Sequence, residues 1–412
     1  MKRKALAAII IAAGILVGCG DQEQTSSPGI QTITPEPIPT ETPVSTEEPV
    51  EEEPETVDGL MLGGEDHPIT QRTIVDGQMQ SYLTGEWKDV NVVQRRSMAV
   101  MIPNNNLKVP GTSATSTVPQ HGISQASIIY EAPVEGRITR LMAIFEDYDD
   151  LERIGPIRSS RDYYVYEAMA YDSIYCNWGL AVPYVSPIIN TDRIDNISVK
   201  LEGISVGADE AFGRGLNDGY ATEFTSSMNI AGYEKAVARL KYATTYEDHG
   251  RFVQAFTFAD EGYIAAYEAY PDATVVYPGG TESNKGGYGN NTGNNAIRFE
   301  YNEEDRLYYR YQYGLPHIDV DNEEQLAVTN IVFKVCHGEV RDSHDYLAFG
   351  VHGSGKAYVF TNGKVIEGTW ERKSDYEPNI FKDNDGNEIV FNQGKTWICN
   401  IWEEYAQHMK WE

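Results

Sequence analysis

Residues 1–19 constrain this chain more than any other stretch. Lys2, Arg3 and Lys4 precede an apolar run from Ala5 to Val17, and Leu16-Val17-Gly18-Cys19 forms a lipobox, the small-residue cleavage signal whose cysteine receives lipid. The apolar run is too short to cross a bilayer stably. The pattern predicts a leader over 1–18, cleavage before Cys19 and a diacylglyceryl thioether on the Cys19 sulfur. Two acyl chains hold a protein at a membrane without a spanning helix. The remainder is expected to fold outside the cytoplasm, lipid-anchored to the outer face of the cytoplasmic membrane, which is its first predicted partner.

Residues 19–58 read as a tether. Eleven acidic residues between Asp21 and Asp58 occur among Pro, Thr and Ser without a single Lys or Arg. Such a segment has too little apolar surface to offset the entropy of ordering, so it is predicted to stay extended and solvated. Roughly 350 residues remain, enough for two domains with cores of their own. The formal charge of −29 excludes nucleic acid as a partner and repels anionic wall polymers, so any anion site must be a local concentration of arginine. After Cys19 only Cys176, Cys336 and Cys399 remain, with no CxxC spacing. Cys336 and Cys399 lie on strand-like runs in the same half and form a candidate disulfide, whereas Cys176 reads as a buried thiol.

Residues 59–95 are a weakly patterned lead-in. From 96 to 250 the pattern alternates: strands at Met98–Ile102, Ala126–Ala132 and Ile138–Phe145, a helix over Tyr163–Ala170, a strand at Ser173–Trp178 and a helix over Tyr233–Tyr242. From 251 to 405, short runs of Tyr, Val, Ile and Phe alternate with Asn and Gly turns, Asn362-Gly363 and Asp385-Gly386 being the strongest hairpin signals, and Glu261–Ala269 could be a helix. Residues 406–412 are a tail. The predicted class is α+β, with an N-terminal mixed α/β domain followed by a mostly antiparallel β domain.

The most informative internal stretch is Ile154-Gly-Pro-Ile-Arg-Ser-Ser-Arg161, where a strand pattern gives way to a helix pattern. Ser159-x-x-Asp162 resembles a capping box, with Asp in place of the usual Glu. A helix beginning there would leave its first N–H groups unsatisfied and carry partial positive charge. Arg158 and Arg161 add forked donors, Ser159 and Ser160 add hydroxyls, and Arg137 and Arg140 on the preceding strand could converge on the same edge. Phosphate, sulfate or carboxylate would fit. In so acidic a chain each arginine could equally pair with Glu131, Glu135 or Asp162.

That motif, together with Ser124-Gln-Ala-Ser-Ile-Ile-Tyr-Glu131, Val134-Glu-Gly-Arg-Ile-Thr-Arg140, Gly353-Ser-Gly-Lys-Ala-Tyr358, Gly363-Lys-Val-Ile-Glu-Gly-Thr-Trp370 and Gly394-Lys-Thr-Trp397, resembles the YerB-like bacterial lipoproteins. The resemblance runs from about Arg96 to Ile401. It implies a two-domain envelope lipoprotein and brings no established activity, cofactor or catalytic residue. The chain departs from the family at Asn177, where relatives tend to have histidine, and at Tyr220-Ala221-Thr222, where they show Pro-His-Asn.

Other motifs carry less. Gly350-x-x-x-x-Gly355-Lys356-Ala357 lacks the Ser or Thr of a P-loop and precedes a strand. Asp319-x-Asp321-x-Glu323 and Asp383-x-Asp385-Gly386-x-Glu388 lack the full spacing of a calcium loop. Cys336, His337, His344 and His352 match no zinc spacing. No metal and no cofactor are expected. Two functions remain open. The favoured one is a non-catalytic lipoprotein that binds an envelope protein or small anionic ligand. The other is an enzyme acting on a phosphodiester or polyprenyl-linked wall substrate, with Arg158 and Arg161 stabilising charge and Glu131, Glu135 or Asp162 as general base.

Overall fold

The computed structural model describes residues 55–57, 60–62, 69, 71–105, 117–199, 205–251, 253–279, 287–288 and 297–412. The leader, Cys19 and nearly all of the predicted tether lie outside them. From Glu53 onward the chain forms one compact unit.

The first half supplies β1 (Met98–Pro103), β2 (Ile128–Val134), β3 (Ile138–Phe145), helix α1 (Asp162–Met169), β4 (Ile174–Trp178), helix α2 (Val182–Ile189), β5 (Asn196–Val199), β6 (Ser205–Val206) and helix α3 (Ile230–Leu240). The second half supplies β7 (Arg298–Asn302), β8 (Leu307–Gln312), β9 (Asn330–Cys336), β10 (Gly353–Thr361), β11 (Lys364–Arg372), β12 (Ile380–Asp383) and β13 (Thr396–Trp402). An eleven-stranded sheet runs through both, in the order β6-β5-β4-β1-β3-β2-β13-β9-β10-β11-β12. The α+β class holds. No break in the sheet separates residues 96–250 from 251–405, because β2 pairs in parallel with β13, Glu131 lying opposite Cys399. Tracing the pairings shows that β5, β4, β1, β2, β13 and β9 run in one direction and β3 against them.

Alternate residues of each central strand feed two cores. In β1, Ala99 and Met101 face one cluster with α1 and α2, while Met98, Val100 and Ile102 face the other with α3 and a smaller sheet that contains β7 and β8. All six β1 residues are buried, which explains why this strand reads as an unbroken apolar run. Helix α3 covers the second core through Ile230, Tyr233, Ala236 and Val237, a stripe at helical spacing worth about 1.5–3 kcal/mol for each large side chain. It starts at Asn229, whose side chain accepts from the Gly232 N–H, and ends at left-handed Lys241.

Three local expectations fail. Glu261–Ala269 is not a helix: Gly262 turns at φ 80°, Tyr263–Ile264 pairs in parallel with Leu60–Leu62, and Ala265 exchanges backbone bonds with the Asn392 side chain. Ser159 does not cap α1; the cap position is Arg161, with no side-chain cap bond. Cys336 and Cys399 are free and buried. Their strands are neighbours, but Cys336 lies opposite Trp402 and Cys399 opposite Phe333, an offset of three residues that sends the two thiols into different cores.

Candidate anion site

The arginine cluster lies at the carboxyl end of β1 and β4, the edge where α/β sheets place their ligands. The two strands pair only over Met98–Val100 and then separate, and residues 158–160 enter between them as extended chain. The Arg158 N–H donates to Met101 O (2.9 Å), the Trp178 N–H to Arg158 O (3.1 Å) and the Ser160 N–H to Gly179 O (2.9 Å). Gly179 makes room for this entry, since a Cβ there would stand 2.7 Å from Ser159 Oγ. The backbone bonds of Arg158 and Ser160 commit this segment to the sheet edge with Ser159 between them, and this is why the helix starts two residues later than the capping-box reading predicts.

The four arginines differ. Arg161 is satisfied: Nε donates to both Glu135 oxygens (2.9 and 3.1 Å), Nη2 also pairs with Glu135, Nη1 donates to Ser160 O (2.7 Å), and the guanidinium lies over Tyr346. Burial opposes its charge, yet the bonds to Glu135 outweigh burial and hold its pKa above the ordinary value. Arg158 has a looser partner, a 3.4 Å contact with half-exposed Glu223, and its Nε has no acceptor. Arg137 sits exposed in the β2–β3 turn at φ 60°, and its charge registers at Tyr405.

Arg140 stands apart. It is 5% exposed, and its Nη1 donates to Ser159 O (2.8 Å). Among the described residues no carboxylate lies within ion-pair distance of it. Burial first, then the charges of Arg161 and Arg158, push its pKa down from the ordinary arginine value. A guanidinium keeps its proton in a protein, so what results is a buried cation short of negative charge.

The serines are engaged. Ser159 Oγ donates to Trp178 O (3.3 Å), and Ser160 Oγ, fully buried, lies 2.7 Å from the Tyr175 hydroxyl. Of the three candidate bases, Glu131 is sealed in the core, where it accepts from Arg310, Asn104, Thr139 and Trp397, and no substrate reaches it. Glu135 is held by Arg161. Asp162 Oδ2 accepts from Arg341 (2.7 Å), while its Oδ1 has no partner. Asn177, the family departure, is buried and donates to Gly179 O (2.7 Å), so it supports the turn under Ser159.

Sequence reasoning missed Arg341, which is 179 positions from Asp162, and the core partners Arg310 and Trp397. No local pattern marks them; all three come from the second half of the chain and meet first-half carboxylates only in the folded state. Among the described residues no group of three His, Cys, Asp or Glu side chains is arranged to hold a metal ion. The roomier concavities lie elsewhere, one of about 460 Å³ between Ile123, Trp397 and Lys395 and one of about 580 Å³ beside Tyr301 and Lys364.

Comparison with known proteins bears out the resemblance drawn from the motifs. A putative lipoprotein, YerB of Bacillus subtilis strain 168, is 26% identical over 325 residues, covering 78% of this chain and 86% of that protein. The crystal structure of YerB superposes with a TM-score of 0.63 at 23% identity, over 80% of this chain and 98% of the other, which shows a shared fold. Residues 83–233 match the N-terminal domain, and residues 288–398 the C-terminal domain, described as protein of unknown function DUF3048. The chain therefore belongs to the DUF3048 family.

Proposed function

We propose that this protein is a lipid-anchored binding protein of the outer face of the cytoplasmic membrane, attached through Cys19, that receives the anionic group of an envelope ligand or partner on Arg140 and Arg158. The observation that carries the reading is Arg140, a buried guanidinium flanked by two further cations and without a carboxylate of its own. A phosphate, sulfate or carboxylate supplies the missing charge, and the uncapped N-terminus of α1 adds favourable dipole. Glu223 is half-exposed and weakly held, so an incoming anion displaces it at little cost. The enzymatic alternative needs a free general base, and Glu131, Glu135 and Asp162 are each committed to an arginine.

The test is calorimetric titration of the chain with inorganic phosphate at low salt. Arg140→Met is expected to weaken binding by about 1.5–3 kcal/mol, the range for charged hydrogen bonds. It should leave the unfolding midpoint unchanged or raised, because an uncompensated buried cation is removed. Equal phosphate affinity in both proteins overturns the assignment. For the anchor, Cys19→Ala is expected to move the protein from the membrane pellet to the soluble fraction; retention in the pellet contradicts lipidation at Cys19.

A further inference from the structure

A second ionic group lies between α1 and the sheet, and the anion site makes no use of it. Lys334 on β9, Glu167 on α1 and Arg372 at the end of β11 have fully buried side chains. Lys334 Nζ stands 2.8 Å from Glu167 Oε1 and 3.4 Å from Val351 O, and Arg372 Nη1 stands 2.9 Å from Glu167 Oε2. The ring of Trp370 covers the ammonium at 4.2 Å. Burial opposes ionisation of Glu167, yet Lys334 and Arg372 outweigh it and hold the carboxyl below its ordinary range.

The sheet adds a fourth member. In the parallel pair of β9 and β13, Asn400 is the register partner of Lys334. Residues two positions away, Val332 and Cys336 on β9 and Ile398 on β13, line the same core, so both side chains emerge on the face that α1 covers. Asn400 is fully buried, and among the described residues neither its Oδ1 nor its Nδ2 has a hydrogen-bond partner. Buried carboxamides are normally satisfied, and leaving one wholly unpaired is costly. The unpaired amide therefore emerges from the strand paired with that of a buried amine and on the same face, and Glu167 and the Trp370 ring contact that amine.

We propose that Lys334 and Asn400 become joined by an intramolecular isopeptide bond, with Glu167 as proton carrier. Glu167, ionised between Lys334 and Arg372, takes a proton from the Lys334 ammonium and is a neutral acid while it carries it. The freed lone pair on Nζ attacks Cγ of Asn400. The Nζ–Cγ bond forms, the Cγ–Nδ2 bond breaks, and Glu167 passes its proton to the departing nitrogen. Of the three Nζ protons, one stays in the new amide and two leave on the former Nδ2, which departs as ammonium. The step requires no oxidant, metal or nucleotide. It consumes the unpaired carboxamide and staples β9 to β13, the strand through which the second half joins β2 of the first.

Peptide mass analysis of the full chain, purified from membranes and digested with trypsin after denaturation, decides the matter. The expected result is no cleavage after Lys334 and a branched peptide containing Lys334 and Asn400, lighter by one ammonia than its two arms. Glu167→Gln and Asn400→Ala are expected to restore cleavage and two linear peptides of full mass; both can be read on unfolded protein, so loss of folding does not obscure them. Linear peptides of unmodified mass from the wild-type chain, or a branch at another residue, overturn the proposal. Persistence of the branch in Glu167→Gln overturns the role given to Glu167.

Discussion

Arg310 and Arg140 are both buried arginines carried on strands, and their surroundings differ in one respect. Arg310 donates to both oxygens of Glu131 at 2.9 Å, and Glu131 collects further bonds from Asn104, Thr139 and Trp397. Arg140 has Arg158 and Arg161 as electrostatic neighbours and a backbone carbonyl as its acceptor. The first arrangement is a closed ionic centre that ties the two sequence halves together. The second is a cation with no carboxylate at ion-pair distance among the described residues, its nearby Glu135 being bonded to Arg161. Burial alone therefore does not distinguish a structural arginine from a binding one; the identity of the partner does.

The largest effect that tests this contrast is on stability. Glu131→Ala leaves Arg310 charged and unpaired in the core and is expected to cost about 3–5 kcal/mol in urea unfolding, whereas Arg140→Met costs little or nothing. Equal costs for the two substitutions break the comparison.

A smaller effect comes from pH. His317, fully buried, lies 3.0 Å from Arg310 Nη1 through Nδ1 and 2.7 Å from Gln120 Oε1 through Nε2. Arginine can only donate, so Nδ1 accepts and Nε2 carries the hydrogen. Burial, then the charge of Arg310, lowers the His317 pKa well below its ordinary value. The folded state refuses a proton that the unfolded chain accepts below a pKa of about 6.5. Stability is therefore complete above that pH and falls by about 1.4 kcal/mol per pH unit below it, until the folded pKa is reached. His317→Gln is expected to flatten the unfolding midpoint between pH 6.5 and mildly acid conditions, about one to two units lower; an unchanged slope shows that His317 is not the linked group.

The smallest effect sharpens the open side of the contrast. Glu223→Gln frees Arg158 from a partly exposed pair of the kind worth about 0.2–1 kcal/mol and should tighten phosphate binding by that amount. Weaker binding would place Arg158 outside the site.

Much of the fold is legible along the chain. Met98–Ile102, Ile138–Phe145 and Ser173–Trp178 are short apolar runs bounded by breakers, and Tyr233–Tyr242 has helical spacing; all four lie close to observed elements. The cysteines are less legible, because strand propensity places Cys336 and Cys399 on neighbours without fixing their register. The start of α1 is misplaced for a related reason. Ser159 has the chemistry of a cap, but its neighbours Arg158 and Ser160 are bonded through their backbones to the parted ends of β1 and β4, which holds the segment extended.

The sequence by itself determines the properties that depend on local order: the lipobox pattern Leu16–Cys19, the acidic, Pro- and Thr-rich composition of 19–58, the alternation of strand and helix patterns, and a concentration of arginine around Ile154–Arg161 in an acidic chain. Only the tertiary structure decides which of those arginines is spoken for. Charge pairing depends on distance in space, and the deciding carboxylates, Glu135 for Arg161 and Glu223 for Arg158, are 26 and 65 positions away. Arg140 is singled out by what the fold does not bring within ion-pair distance of it, a carboxylate among the described residues: the charge of nearby Glu135 is engaged by Arg161, and no reading of neighbours along the chain reveals that.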